Sequence, residues 1–77
     1  MKATLLKTEP HSSQHGGMFY YFFFKGEDGK SYRSCMYPNM GNFSRWRPFI
    51  GREGVALSNL TLKGRLIDAD SFPMEIK

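Results

Sequence analysis

The residues with most to offer chemically are rings and cations set close together. Met18-Phe19-Tyr20-Tyr21-Phe22-Phe23-Phe24-Lys25 is followed, after Gly26-Glu27-Asp28-Gly29, by Lys30 to Tyr37 with Arg33 near its middle. Further on, Arg45-Trp46-Arg47 sets the single Trp between two guanidiniums. Aromatic faces beside Arg and Lys suit a single-stranded nucleic acid: a base stacks on a ring for about 1–3 kcal/mol while a cation meets a phosphate. The same residues also fit ordinary packing, in which the rings fill a core, Trp46 anchors a helix and Arg45 and Arg47 are solvated.

Catalytic and metal chemistry has less to stand on. His11 and His15 are four apart, but their Ser- and Gly-rich surroundings do not favour the helix that would bring them to one face, and no third ligand is evident. Asp68 and Asp70 fall on one side of an extended chain, which suits a divalent cation, yet turn formation explains them better. Cys35 lacks a local nucleophile signature and reads as a strand cysteine. Gly16-Gly17 and Gly51-Arg52-Glu53-Gly54 match no phosphate-binding loop. No catalytic residue, metal or cofactor is therefore expected.

Length and composition narrow the class. At 77 residues there is room for one domain and little for a cofactor-sized cavity beside a core, so residues 1–77 are read as a single binding module. Eleven Lys and Arg against seven Asp and Glu give a formal charge of +4, which favours an anionic partner and argues against an acidic mimic of DNA. Seven Phe, four Tyr and one Trp make 16% of the chain, more than so small a core needs. One cysteine excludes an internal disulfide. Ala3 to Leu6, broken by Lys7 and Glu9, does not read as a signal peptide, and Met18 to Phe24 is far shorter than the roughly 20 residues of a membrane span. A cytoplasmic protein with no membrane partner is expected.

These side chains must be positioned by short strands. Residues 2–8 read as a first strand closed by Glu9-Pro10, and His11 to Gly17 as a loop. Met18 to Lys25 and Lys30 to Tyr37 read as a β-hairpin. Asn42 or Ser44 is placed to cap a helix of a turn or two through Arg45, Trp46 and Arg47, limited by Pro48. Val55 to Lys63 reads as a fourth strand with a bulge near Ser58-Asn59; Gly64 separates it from Arg65-Leu66-Ile67, and after a turn-like Asp68-Ala69-Asp70-Ser71, Phe72 to Ile76 reads as a fifth, broken strand. With Gly26 opposite Gly29, Phe22 faces Arg33, Tyr20 faces Cys35 and Met18 faces Tyr37. The other face pairs Phe23 with Tyr32, Tyr21 with Ser34 and Phe19 with Met36. Since Arg33 resists unpaired burial, its face, with Tyr20, Phe22 and Tyr37, is expected toward solvent; a one-residue bulge would exchange the faces.

Three strands, a short helix and two strands is the element order of the OB-fold, a five-stranded Greek-key barrel. With the aromatic hairpin Phe19 to Tyr37 and the basic Arg45-Trp46-Arg47, the chain resembles the small OB-fold single-stranded nucleic-acid-binding proteins of phages and plasmids. An SH3-like barrel is the rival fold. The resemblance implies a mostly-β protein that coats single-stranded DNA in replication with little sequence preference. Bases would stack on Tyr20, Phe22, Tyr37 and Trp46, and phosphates would meet Lys25, Lys30, Arg33, Arg45 and Arg47. RNA is a variant of this reading. The alternative is a protein-interaction module, a phage inhibitor or assembly subunit, that uses the aromatic hairpin as its interface, or a homodimer formed through it.

Overall fold

The computed structural model describes residues 1–76. Strand β1 (Ala3–Ser12) pairs antiparallel with β2 (Met18–Gly26), which pairs with β3 (Ser31–Met36). Helix α1 (Phe43–Trp46) runs into a 3-10 turn, Arg47–Phe49, and the chain returns as β4 (Val55–Ser58) on the free side of β1. Strands β5 (Leu62–Lys63) and β6 (Leu66–Ile67) form a small hairpin whose β6 lies parallel to β3, and β7 (Met74–Glu75) pairs with β4. The result is one curled, barrel-like sheet ordered β5-β6-β3-β2-β1-β4-β7. No described helix is long and apolar enough to cross a membrane.

Seven strands replace the expected five, for local reasons. The stretch Val55 to Lys63 breaks at Asn59, whose φ of 61° is left-handed and cannot continue a strand. Leu60 is then carried into the core, where its N–H donates to the Met1 carbonyl. Arg65 to Ile76 is divided by a turn in which the Ser71 N–H donates to the Asp68 carbonyl, so its halves join different edges of the sheet. The bulge expected near Ser58-Asn59 lies instead in β1, where the register slips between Leu5 opposite Phe24 and Lys7 opposite Phe23. Pro48 does not end the helical segment. It occupies the first turn of the 3-10 stretch, where a missing N–H costs nothing.

The β2–β3 turn decides which rings are buried. The Gly26 N–H donates to the Lys30 carbonyl at 2.8 Å, and the Gly29 N–H donates back to the Gly26 carbonyl at 3.0 Å. Gly29 has φ +81°. This is the loop of odd length in which a β-turn is followed by one left-handed residue. Gly26 therefore faces Lys30 rather than Gly29, and every pair beyond it moves by one: Phe22 opposite Ser34, Phe23 opposite Arg33, Phe24 opposite Tyr32. A one-residue slip turns each side chain to the other face. Phe22 and Phe24 are fully buried with Leu5, Met36 and Leu57, and Trp46 closes the core edge-on to both rings at 5.4 and 5.8 Å.

Asp28 ties this turn together by accepting from the Lys30 N–H at 3.0 Å and from the Tyr32 hydroxyl. The Tyr32 bond is the main cause, and the Lys30 N–H the next, of a carboxyl held below its usual 3.8. Because the folded value is depressed, the turn gains stability from the carboxylate at every pH above the ordinary value and loses it as pH falls through the lower one. Asp28→Asn is expected to lower the urea midpoint near neutral pH, with the gap to wild type closing in acid. Paired urea melts at the two pH values check this.

Candidate nucleic-acid interface

The bulge at Leu6 and the odd turn together build the outer face of the sheet. Beyond the bulge, Lys7, Glu9 and His11 of β1 stand opposite Phe23, Tyr21 and Phe19 of β2. On the other side of β2, Phe23 and Tyr21 stand opposite Arg33 and Cys35. Side chains directly opposite share a face, so these residues form rows across three strands. The rows are packed ring to ring. His11 and Tyr37 lie nearly parallel to Phe19 on its two sides, at 5.6 and 5.2 Å, making a stack that crosses the sheet. Tyr21 meets both His11 and Phe19 edge-on, at 4.8 and 5.2 Å, and Phe23 follows at 6.1 Å.

One end of this stack is open. Tyr37 is 43% exposed and forms a wall of a cleft of about 390 Å³, lined also by Ser13, His15, Gly17, Met18, Pro38 and Asn39. The β1–β2 loop holds the facing wall in place: the Ser13 N–H donates to the Gly17 carbonyl at 2.7 Å, and the Gly17 N–H returns to Ser13 Oγ at 3.0 Å. A planar heterocycle entering here meets a ring on one side and hydroxyl, imidazole and amide groups around its edge. Cys35 beside Tyr37 is the main cause that pushes the Tyr37 hydroxyl above its usual 10.0.

Charge is distributed unevenly over this face. On the β1 side, Lys7 pairs with Glu9 at 2.8 Å, and His11 Nε2 lies 3.2 Å from the same carboxylate. Lys7, and then His11, hold the Glu9 carboxyl below its usual 4.5. On the β3 side, the Arg33 guanidinium lies over the Tyr21 ring at 4.9 Å and has no carboxylate partner among the described residues. The anion-seeking half of the face is therefore β3, not β1.

Of the residues singled out in the sequence, Arg33 and Tyr37 stand on this face, and Lys25 is exposed on the same side, two residues beyond Phe23. Lys30 is exposed at the hairpin turn. Three of the four expected stacking rings are elsewhere. Phe22 and Trp46 are fully buried, and Tyr20 points inward, parallel to Phe43 at 6.0 Å. The Phe22 and Tyr20 assignments fail because the turn holds three residues between Gly26 and Lys30 where two were assumed. Trp46 is inside because its indole Nε1–H finds the Ala69 carbonyl at 3.2 Å, which makes deep burial tolerable. Arg45, lying over Phe72 at 5.1 Å, and Arg47 belong to the helical segment packed on the inner layer, away from the ring stack. Phe19, Tyr21 and Phe23 reach the outer face by the exchange that a one-residue shift produces, and Gly29, as a left-handed residue closing the turn, was the signal for it; His11, read as loop, is there because β1 runs on to Ser12 and pairs His11 with Phe19.

No protein-family model, no curated protein and no solved structure matches the chain.

Proposed function

We propose that the chain binds single-stranded nucleic acid, DNA in the first instance, on the outer face of β1–β3. The observation that carries this reading is the ring stack His11–Phe19–Tyr37, open at Tyr37 onto a cleft large enough for a base, with the Arg33 guanidinium, which has no carboxylate partner among the described residues, on β3 just before Tyr37. A base entering the cleft extends an existing stack, so little ordering cost falls on the protein. Two features of the sheet support an OB-like arrangement: β1 is shared between β2 and β4, and β3 pairs in parallel with β6. In that fold the β2–β3 face and the loop after the first strand hold oligonucleotides, which are the two surfaces that meet at Tyr37.

The test is fluorescence anisotropy of labelled oligo-dT across a salt series. Binding is expected to weaken linearly on logarithmic axes, with a slope of roughly 0.7 per phosphate contact. Duplex of the same length should compete poorly, because its bases are already stacked on each other. Exposed Met18 and Leu66 beside the rings favour a second reading, in which an apolar protein surface or a second copy covers this face. That reading expects association insensitive to salt and no response to oligo-dT.

A further inference from the structure

Two adjoining grooves lie at the edge where β3 meets the β5–β6 hairpin. One, of about 450 Å³, is lined by Lys30, Ser31, Tyr32, Gly64 and Arg65. The other, of about 270 Å³, is lined by Phe23, Ser31, Tyr32, Arg33, Arg65 and Leu66. They share Ser31, Tyr32 and Arg65, and so form one trough that ends against Phe23 of the ring face. No carboxylate lines either part. Arg33 and Arg65 have no carboxylate partner among the described residues; Asp28 lies near Lys30 at the outer rim.

The backbone explains why Arg65 is there. Lys63 faces Leu66 across the small hairpin, leaving Gly64-Arg65 as a two-residue loop with Gly64 at φ +67°. A left-handed glycine in the first loop position is the tight turn suited to strand twist, and it sets the second residue at the tip. The parallel pairing of Leu66 with Arg33 then holds that tip beside β3.

We infer that this trough carries the phosphate backbone of the single strand, with Arg65 and Arg33 as its phosphate contacts, so that the backbone follows β3 while bases lie toward the rings of β2. The inference rests on the single-strand reading above and adds to it the path and a residue, Arg65, that the ring face does not contain. Arg33 and Tyr37 are four residues apart on an extended chain, about 13 Å. A short oligonucleotide therefore reaches both the trough and the Tyr37 cleft.

The test compares Arg65→Ala with Arg47→Ala, which removes the same charge from the helical segment. Both residues are exposed, so both variants keep the fold. Affinity for oligo-dT, oligo-dC and oligo-dA is measured over a salt series. Arg65→Ala is expected to weaken all three alike and to reduce the salt slope by about 0.7, with Arg47→Ala keeping the wild-type slope. If wild type binds and the two variants behave alike, the trough is not the phosphate path, although the single-strand reading survives. If wild type binds none of the three, both fall together.

Discussion

Trp46→Ala is expected to unfold the domain rather than to weaken a binding site. The indole is fully buried, edge-on to Phe22, Phe24 and Phe49, and its N–H satisfies the Ala69 carbonyl. Truncating a core aromatic to Ala costs about 3–5 kcal/mol. At typical values per residue, a domain of this length has only about 4–12 kcal/mol to lose. The lost donor also leaves a carbonyl to be hydrated in a part-buried place. Circular dichroism and urea titration check this, and Phe22→Ala should behave the same way. A Trp46→Ala variant with the wild-type midpoint would show that the core is not organised around this residue.

Tyr37→Ala is expected to do the opposite: keep the fold and lose the ligand. The side chain is 43% exposed, and its ring touches Phe19 at 5.2 Å on the outer face rather than anything in the core. Removing the stacking surface should cost about 1–3 kcal/mol of binding, roughly 5- to 150-fold in affinity for oligo-dT. Tyr37→Phe should retain most of it, since the ring and not the hydroxyl does the stacking. Anisotropy titrations of the two variants beside wild type decide the point. Equal losses in Ala and Phe would instead assign the contribution to the hydroxyl.

These two variants also mark how far the sequence could be read. Strand positions in the hairpin follow from ring-rich runs bounded by Gly, and those runs form β2 and β3. Solvent exposure of the Arg33 face also follows, because an unpaired guanidinium is too costly to bury, and Arg33 is exposed. Which rings accompany it depends on one residue of loop length. Gly26 and Gly29 flank a plausible two-residue turn, but the Asp28 carboxylate bonded to the Lys30 N–H, with Gly29 left-handed, adds a third residue. Tyr21 and Phe23 therefore take the places expected for Tyr20 and Phe22. Trp46 was ambiguous for another reason: a ring between two arginines reads alike whether it points in or out, and only its distant partners in β2 and at Ala69 settle the direction.

The second half of the chain was less legible because its strands are very short and its breaks are conformational. Asn59 adopts a left-handed φ that its residue type tolerates but does not announce. The Asp68–Ser71 turn redirects the chain from one edge of the sheet to the other, a long-range outcome that composition does not encode. Gly64 marks the break before Arg65 to Ile67, but with Leu62-Lys63 read as the end of a longer strand the pairing that makes the β5–β6 hairpin, with Arg65 at its tip, was not visible.

The most direct measurement is an amide correlation spectrum of isotope-labelled protein titrated with oligo-dT. Shifts are predicted to concentrate at Ser13 to Phe19, at Arg33 to Asn39 and at the Gly64-Arg65 tip, with Phe43 to Phe49 left in place. Shifts centred on the helical segment, or none at oligonucleotide concentrations well above those of the protein, would contradict a single-strand site on the outer face of β1–β3.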